Sequence, residues 1–255
     1  MVNTVSQSFR PTILRFESID STNLEAMRQA KAGAPDGLCI VAREQTRGRG
    51  RLDRSWHSPK DAGLYFSVLL RPGLEMAKWP LIGLAAALAV ADAIRQTCDL
   101  KVDIKWPNDI CANDRKLSGI LAETVETERG PAAIVGIGIN LKKESVPPEL
   151  KVPATSIESV TGAAPDQNLL LKELLQVLGE RYHLLQSEGG AEHTIREWCA
   201  ASSYAFGRRV RVTMNGEAFE GTTRGLESDG ALRVEKAEAK IRIVRAGDVT
   251  ALRAL

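Results

Sequence analysis

The stretch Gln45-Thr46-Arg47-Gly48-Arg49-Gly50-Arg51-Leu52-Asp53-Arg54-Ser55-Trp56 decides how the rest of the chain is read. Glycine alternates with arginine at its centre, and Asp53 is its only acid. Glycine lets a backbone approach a ligand and adopt positive φ. Arginine carries a planar donor fork that matches carboxylate and phosphate oxygens. Several guanidinium groups in one short loop repel one another until an anion joins them. The residues therefore predict a flexible anion-binding loop that orders on its ligand. Two other readings fit the same residues: a solvated basic turn, and an arginine-rich patch for nucleic acid.

Composition narrows the choice. At 255 residues the chain has room for one large domain, or one large and one small, with a core that needs no disulfides. Lys+Arg number 34 against 32 Asp+Glu, a formal charge of +2, so any anion site is local. Cys39, Cys98, Cys111 and Cys199 form no CxxC pair, and His57, His183 and His193 make no ligand cluster with them. A structural zinc site is not expected, and scattered thiols suit a reducing, cytoplasmic compartment. Met1–Pro11 has no apolar segment of a secretory signal. The most apolar run, Leu81–Val90, is shorter than the ~18 residues of a membrane span. It predicts a buried helix beginning near Pro80 and no membrane partner.

Working outward from the arginine stretch, Ile13–Phe16 reads as a strand. A helix follows from Ser21–Thr22 to Gly33, with Thr22 and Glu25 at capping-box spacing. Its N-terminus and the small polar Ser21, Thr22 and Asn23 offer a polar pocket. Leu38–Arg43 is a strand that delivers Gln45, and Gly63–Leu70 returns from the loop. Leu81–Thr97 is a helix, and Val102–Lys105 a short strand broken by Trp106-Pro107-Asn108-Asp109. Lys105, Asn108 and Asp109 are thereby presented at a strand end. Asn113-Asp114 signals a turn, so Ile110–Glu126 is expected to be a hairpin with Lys116 and Gly119 on its second arm. In the strand Ala132–Leu141, alternation puts Gly136, Gly138 and Asn140 on one face and Ile137 and Ile139 on the core face. The glycine face is bare backbone against which something flat could lie. Lys142–Gln167 reads as a loop, Asn168–Gln186 as an amphipathic helix and Ala191–Ala200 as a shorter one. From Tyr204 to Leu255 short alternating runs are punctuated by glycines, with a hairpin signal at Asp229-Gly230. They predict a small all-β barrel, with ten Lys/Arg against seven Asp/Glu.

Five motifs now stand in order: Ser21-Thr22-Asn23, the Gln45…Trp56 stretch, Lys105-Trp106-Pro107-Asn108-Asp109, Arg115-Lys116-Leu117-Ser118-Gly119, and Gly136-Ile137-Gly138-Ile139-Asn140. With the terminal barrel they closely resemble the biotin protein ligases, the biotin–acetyl-CoA-carboxylase ligase family, over nearly the whole chain. The resemblance implies an α/β (α+β) fold. A mixed sheet with helices, related to the class II aminoacyl-tRNA synthetases, would span residues 1–203, and an SH3-like β-barrel residues 204–255. It implies that biotin and Mg·ATP form biotinyl-5′-AMP and pyrophosphate. A lysine of a biotin carboxyl carrier protein then takes the biotin and releases AMP.

The resemblance also assigns residues. Ser21, Thr22, Asn23 and Gln45 would read biotin's ureido ring, with Arg49, Gly50, Arg51, Lys116, Gly119 and Gly138 completing the biotin site. Arg49, Arg51, Arg54, Trp56, Lys105, Asn108, Lys116 and Asn140 would hold ATP. Arg51, Lys116 and Asp109 would carry catalysis, with Asp109 fixing Arg51, positioning Mg²⁺ or receiving the incoming amine; no metal ligands are assigned. The chain departs from the family in carrying Asp53 where glycine is usual, an acid that would damp the loop's charge or pair with one arginine. It also leaves no room before Ser21 for the DNA-binding domain of some relatives, so no DNA partner and no repressor activity are expected. The chain is expected to be a monomer or homodimer. Competing readings are a lipoate or octanoate ligase, a nucleic-acid-binding module and a catalytically silent biotin-binding regulator.

Overall fold

The computed structural model describes residues 11–150, 153–214 and 216–252. The expectation of no secretory segment concerns residues outside them. Strands of nearly continuous apolar residues need cover on both faces, and these strands lie in the middle of a seven-stranded mixed sheet. Its order is β1 (Thr12–Phe16), β2 (Leu38–Ala42), β3 (Gly63–Leu70), β7 (Ala132–Asn140), β6 (Arg115–Val125), β5 (Asp109–Ala112) and β4 (Asp103–Lys105). β1 and β2 run parallel, and every other neighbouring pair is antiparallel.

Helix α1 (Thr22–Lys31) covers one face of this sheet: Ala26 and Ala30 pack with Ile40, Leu69 and Ile134. The other face carries α2 (Pro80–Cys98), whose Leu81, Leu84, Leu88 and Ile94 join Leu64, Phe66, Val68, Ile137 and Ile139 in one apolar core. The isoleucine face of β7 is thus the core face, as alternation predicts. Pro80 occupies the first turn of α2, where a missing N–H costs nothing. By length and composition alone the stretch Met76–Cys98 could cross a membrane; here most of its apolar side chains from Leu81 to Ile94 are buried in the core, while Met76 is exposed.

Lys142–Gln167 is not loop throughout. It contains α3 (Ile157–Thr161), which starts where the Ser156 hydroxyl accepts from Ser159 N and stops at Gly162, φ 87°. Helices α4 (Gln167–Gln186) and α5 (Gly190–Ala201) follow. The capping box expected at Thr22 and Glu25 also fails. Ser21 is the N-cap residue and its side chain makes no capping bond, while Glu25 serves Arg28 and Gln29. Thr22 has a longer-range partner, described below.

The C-terminal strands are β8 (Phe206–Met214), β9 (Glu217–Leu226), β10 (Leu232–Glu235), β11 (Ile241–Val244) and β12 (Asp248–Ala251). They form an antiparallel, SH3-like sheet in the order β11-β10-β9-β8-β12. The β9–β10 connection turns at Asp229-Gly230, with Gly230 at φ 81°. Its tip docks on the larger part of the protein, where Trp106 Nε1 donates to Gly230 O at 3.0 Å. Val210, Val212, Leu232, Val234 and Val244 share the apolar core of α2, so the core is continuous across the boundary expected at 203/204.

Candidate active site

The arginine stretch, expected to be a flexible loop, closes on itself as a short β-hairpin with one antiparallel bridge between Arg49 and Ser55. Trp56 N donates to Gly48 O at 2.9 Å and Gly50 N to Arg54 O at 2.7 Å. Leu52 and Asp53 sit at its tip with φ 54° and 56°, the paired positive φ values of a type I′ turn. This accounts for the departure from glycine: aspartate is among the few residues that visit the left-handed region readily. Among the described residues Asp53 pairs with no arginine, which leaves damping of the loop's charge, the other role expected of it. Arg49 bonds Glu123, Arg51 bonds Asn108 at 3.1 Å, and Arg54 forms an ion pair with Asp248 on β12. At the hairpin's base a Cβ on Gly48 would lie 2.4 Å from Trp56 O, so only glycine fits there.

One half of the pocket is a chain of neutral hydrogen bonds. Gln45 Oε1 accepts from Thr22 N at 2.8 Å and lies 3.1 Å from Thr22 Oγ1. Gln45 Nε2 donates to Ser58 Oγ at 2.8 Å. Ser67, inside the otherwise apolar β3, lies 2.7 Å from Thr22 Oγ1 and 2.6 Å from Asn23 Oδ1. Asn23 Nδ2 donates to Glu123 Oε2 at 2.8 Å and to Leu121 O at 3.2 Å. Thr22, Asn23 and Ser67 are all buried, so these mutual bonds offset their loss of water.

The other half is charged. Lys116 Nζ lies 2.6 Å from Asp109 Oδ1 and 5.3 Å from the centre of the Trp56 ring. A β-bulge brings Lys116 here. Opposite β5, Ser118 faces Ile110 and Lys116 faces Cys111, leaving Leu117 as the extra residue. Without it, strict alternation would put Lys116 and Gly119 on opposite faces; with it, Lys116 Nζ stands 3.3 Å from where a Gly119 Cβ would be. The Lys116 main chain is strapped on its free side, its N donating to Pro153 O and its O accepting from Thr155 N, both at 2.9 Å. Adjacent residues therefore hold the two central cations, Asn108 taking Arg51 and Asp109 taking Lys116. Burial pushes Arg51 below the usual arginine range, opposed by the nearby carboxylates of Asp248 and Asp109. Among the described residues no carboxylate is in direct contact with it. The Asp248 carboxylate raises Arg54 instead.

The glycine floor is real but not bare. A Cβ on Gly136 would lie 1.9 Å from Asn23 Oδ1, and one on Gly138 2.6 Å from the Trp56 indole. Asn23 covers the first glycine, and Trp56 covers Gly138 and Gly119. Three residues expected at ATP are engaged elsewhere here. Asn140 is buried and donates to Thr155 O at 3.0 Å, Lys105 lies 6.0 Å from the Tyr204 ring centre, and Arg54 is on Asp248. The motifs did not single out Ser58, Ser67, Glu123, Asp248 or the strap at Pro153–Thr155. Two of these had a signal: a small polar serine inside the apolar run Gly63–Leu70, and an acid in phase with Gly119 on β6.

Residues 15–140 match the biotin/lipoate A/B protein ligase family, and residues 205–250 match the biotin protein ligase C-terminal domain. The chain is 37% identical over 234 residues to the bifunctional ligase/repressor BirA of Bacillus spizizenii, covering 89% of this chain and 70% of that one. It is 34% identical over 239 residues to a biotin–acetyl-CoA-carboxylase ligase of Mycobacterium tuberculosis, covering 91% and 86%. The chain belongs to the biotin protein ligase family. Among solved structures, the Aquifex aeolicus biotin protein ligase in complex with biotin and ATP superposes with a TM-score of 0.81 at 28% identity, over 95% of this chain and 99% of that one. The family match at 205–250 covers most of the SH3-like sheet, so membership rests on both sheets and on the order of the motifs between them.

Proposed function

We infer that this member of the biotin protein ligase family joins biotin to ATP, forming biotinyl-5′-AMP. It then passes the biotinyl group to a lysine ε-amine on a biotin carboxyl carrier domain. The observation that carries this reading is that adjacent residues of one turn, Asn108 and Asp109, hold Arg51 and Lys116, with Lys116 against the Gly119 edge of the glycine floor. Both reactants of the first step are anions. Their approach is opposed by Coulomb repulsion, and cations placed in advance where charge gathers on the phosphoryl oxygens stabilise the transition state. Arg51, half-buried and among the described residues without a direct carboxylate partner, suits that task, and Lys116 is the second cation for it.

In the first step a biotin carboxylate oxygen attacks the α-phosphorus and pyrophosphate leaves. In the second the amine attacks the acyl carbon, AMP leaves with the bonding electrons, and the amine gives up a proton. Asp109 orients Lys116. The neutral half of the pocket, Ser21, Thr22, Asn23 and Gln45, reads the ring, where hydrogen bonding discriminates more strongly than apolar shape. The hairpin and Trp56 shield a hydrolysable anhydride from water. No protein nucleophile takes part, which agrees with the thiols of Cys39 and Cys111, pushed up to about 12 by burial.

Among the described residues no three His, Cys, Asp or Glu side chains converge on a metal site. Mg²⁺ characteristically keeps its waters and binds through substrate phosphates. It would enter with the nucleotide, where its charge offsets that of the phosphates.

The test is biotin-dependent exchange of labelled pyrophosphate into ATP, with lipoate and octanoate in parallel. Exchange with biotin alone is expected. Exchange with lipoate instead would move the substrate to the sister branch of the family, and exchange with none of the acids would overturn the reading.

A further inference from the structure

Glu123 lies on β6, in phase with Gly119 and Leu121, which face Gly138 and Gly136 of β7. Its carboxylate receives three N–H bonds from two directions. Arg49 Nη2 donates to Oε1 at 2.9 Å and Arg49 Nη1 to Oε2 at 3.1 Å. Asn23 Nδ2 donates to Oε2 at 2.8 Å. Arg49 belongs to the hairpin and Asn23 to the first turn of α1, so a single side chain joins the pocket's two walls.

Only an acceptor without hydrogens suits this position, because every group that reaches it is a donor. A glutamine there would turn an NH₂ toward Arg49 or Asn23. The carboxylate also fixes which way the Asn23 amide faces. Both its N–H bonds are committed, to Glu123 and to Leu121 O, and Oδ1 is left toward Ser67. Through Ser67, Thr22 and Gln45 the chain of bonds continues to Ser58, which donates to Trp56 O at 3.2 Å. The two strands of the hairpin are thus tied to α1 at separate points, Arg49 through Glu123 and Trp56 through Ser58 and Gln45.

We propose that Glu123 is a positioning residue for biotin and its adenylate: it clamps the Arg49 arm of the hairpin to α1 and sets the orientation of the Asn23 amide, so that ring reading and hairpin closure depend on one carboxylate. The proposal rests on the substrate reading above. Nothing in it requires Glu123 to touch the reacting atoms.

The experiment compares Glu123→Gln, Glu123→Asp, Arg49→Gln and the Glu123→Gln/Arg49→Gln double variant in the full chain, by pyrophosphate exchange, escape of free biotinyl-AMP and thermal melting. Glu123→Gln is expected to raise the KM for biotin about tenfold and to increase adenylate escape. Its kcat for exchange should stay within about threefold of wild type and its melting point within a few degrees. Glu123→Asp keeps the charge but is one methylene shorter, and should fall between wild type and Gln; it carries the test if Gln fails to fold. The double variant should cost less than the product of the single effects, since both break the same clamp. A wild-type KM in Glu123→Gln, a lowered melting point with unchanged KM, or fully multiplicative effects would overturn the proposal. Absence of biotin exchange in the wild-type protein would instead strike the substrate reading, so the two failures are told apart.

Discussion

The two halves of the pocket are built on opposite principles. Around Thr22, Asn23, Gln45, Ser67 and Glu123, polar atoms are buried and partnered within the protein. Around Arg51 and Lys116 the groups are cationic, with Asn108 and Asp109 as their partners, and Arg54 repels Arg51. The first half costs little to maintain, because each desolvated group has a bond. The second is electrostatically incomplete at Arg51, whose partner is the neutral Asn108, and under the proposed function an anion would complete it. A neutral ring can be read by geometry set in advance, whereas a charge that develops during reaction is stabilised by groups not already neutralised.

The largest effect is expected where that incompleteness is removed. Lys116→Ala should lower pyrophosphate exchange by about 10²–10³, the scale of losing one preorganised charge-stabilising donor, with little change in melting temperature. Exchange within tenfold of wild type would mean that the charged half does not carry the chemistry.

Gly138→Val acts on the floor the two halves share. The new Cβ would start 2.6 Å from the Trp56 indole, so the indole must leave its seat. Biotin affinity measured by calorimetry should fall more than about tenfold, with an overpacking cost of about 1–3 kcal/mol in chemical denaturation. Unchanged affinity would show that Trp56 and Gly138 lie outside the bound ligand's reach.

Ser67→Ala tests the neutral half. It strips the hydroxyl from Asn23 Oδ1, a buried acceptor, and should destabilise the protein by about 1–3 kcal/mol. It should also weaken biotin more than ATP. A larger change in the KM for ATP would break the division drawn here.

The smallest effect belongs to the ion pair between the hairpin and the C-terminal sheet. The hydrogen bonds from Arg54 hold the Asp248 carboxyl below the usual carboxylate range. A lowered folded-state pKa stabilises above the unfolded value, about 3.9, and the contribution fades as pH falls through the lower folded value. Both side chains are partly exposed, so Asp248→Asn should cost no more than about 1 kcal/mol at pH 7. Urea unfolding at a series of pH values should find that difference shrinking below about pH 4; a difference that grows in acid would contradict the assignment.

Much of this was legible in the residues. Pro80 and the alanine-rich run after it define a core helix, Asp229-Gly230 marks its hairpin, and the alternation in Gly136–Asn140 separates a glycine face from an isoleucine face. Period, turn chemistry and Pro/Gly punctuation are local properties, and local properties can be read in order along a chain. The motif set likewise named many of the residues that the fold brings together around the glycine floor, because arginine, lysine and glycine at close spacing stand out locally.

Tertiary structure decided what depends on partners far apart in the chain. Thr22 looked like half of a capping box but turned to Gln45. The arginine stretch read as a flexible loop but closed as a hairpin, with Leu52 and Asp53 in the left-handed turn and Gly48 paired with Trp56. Lys116 reaches the glycine face only through a bulge at Leu117, and a register shift belongs to two strands together. Glu123 gains its meaning from Arg49 and Asn23, separated from it by 74 and 100 residues. Local pattern along the chain marked most of the elements and named the side chains proposed for the chemistry. Only the folded chain decided which donor meets which acceptor, because a buried polar group is satisfied by whatever packing brings within about 3 Å of it.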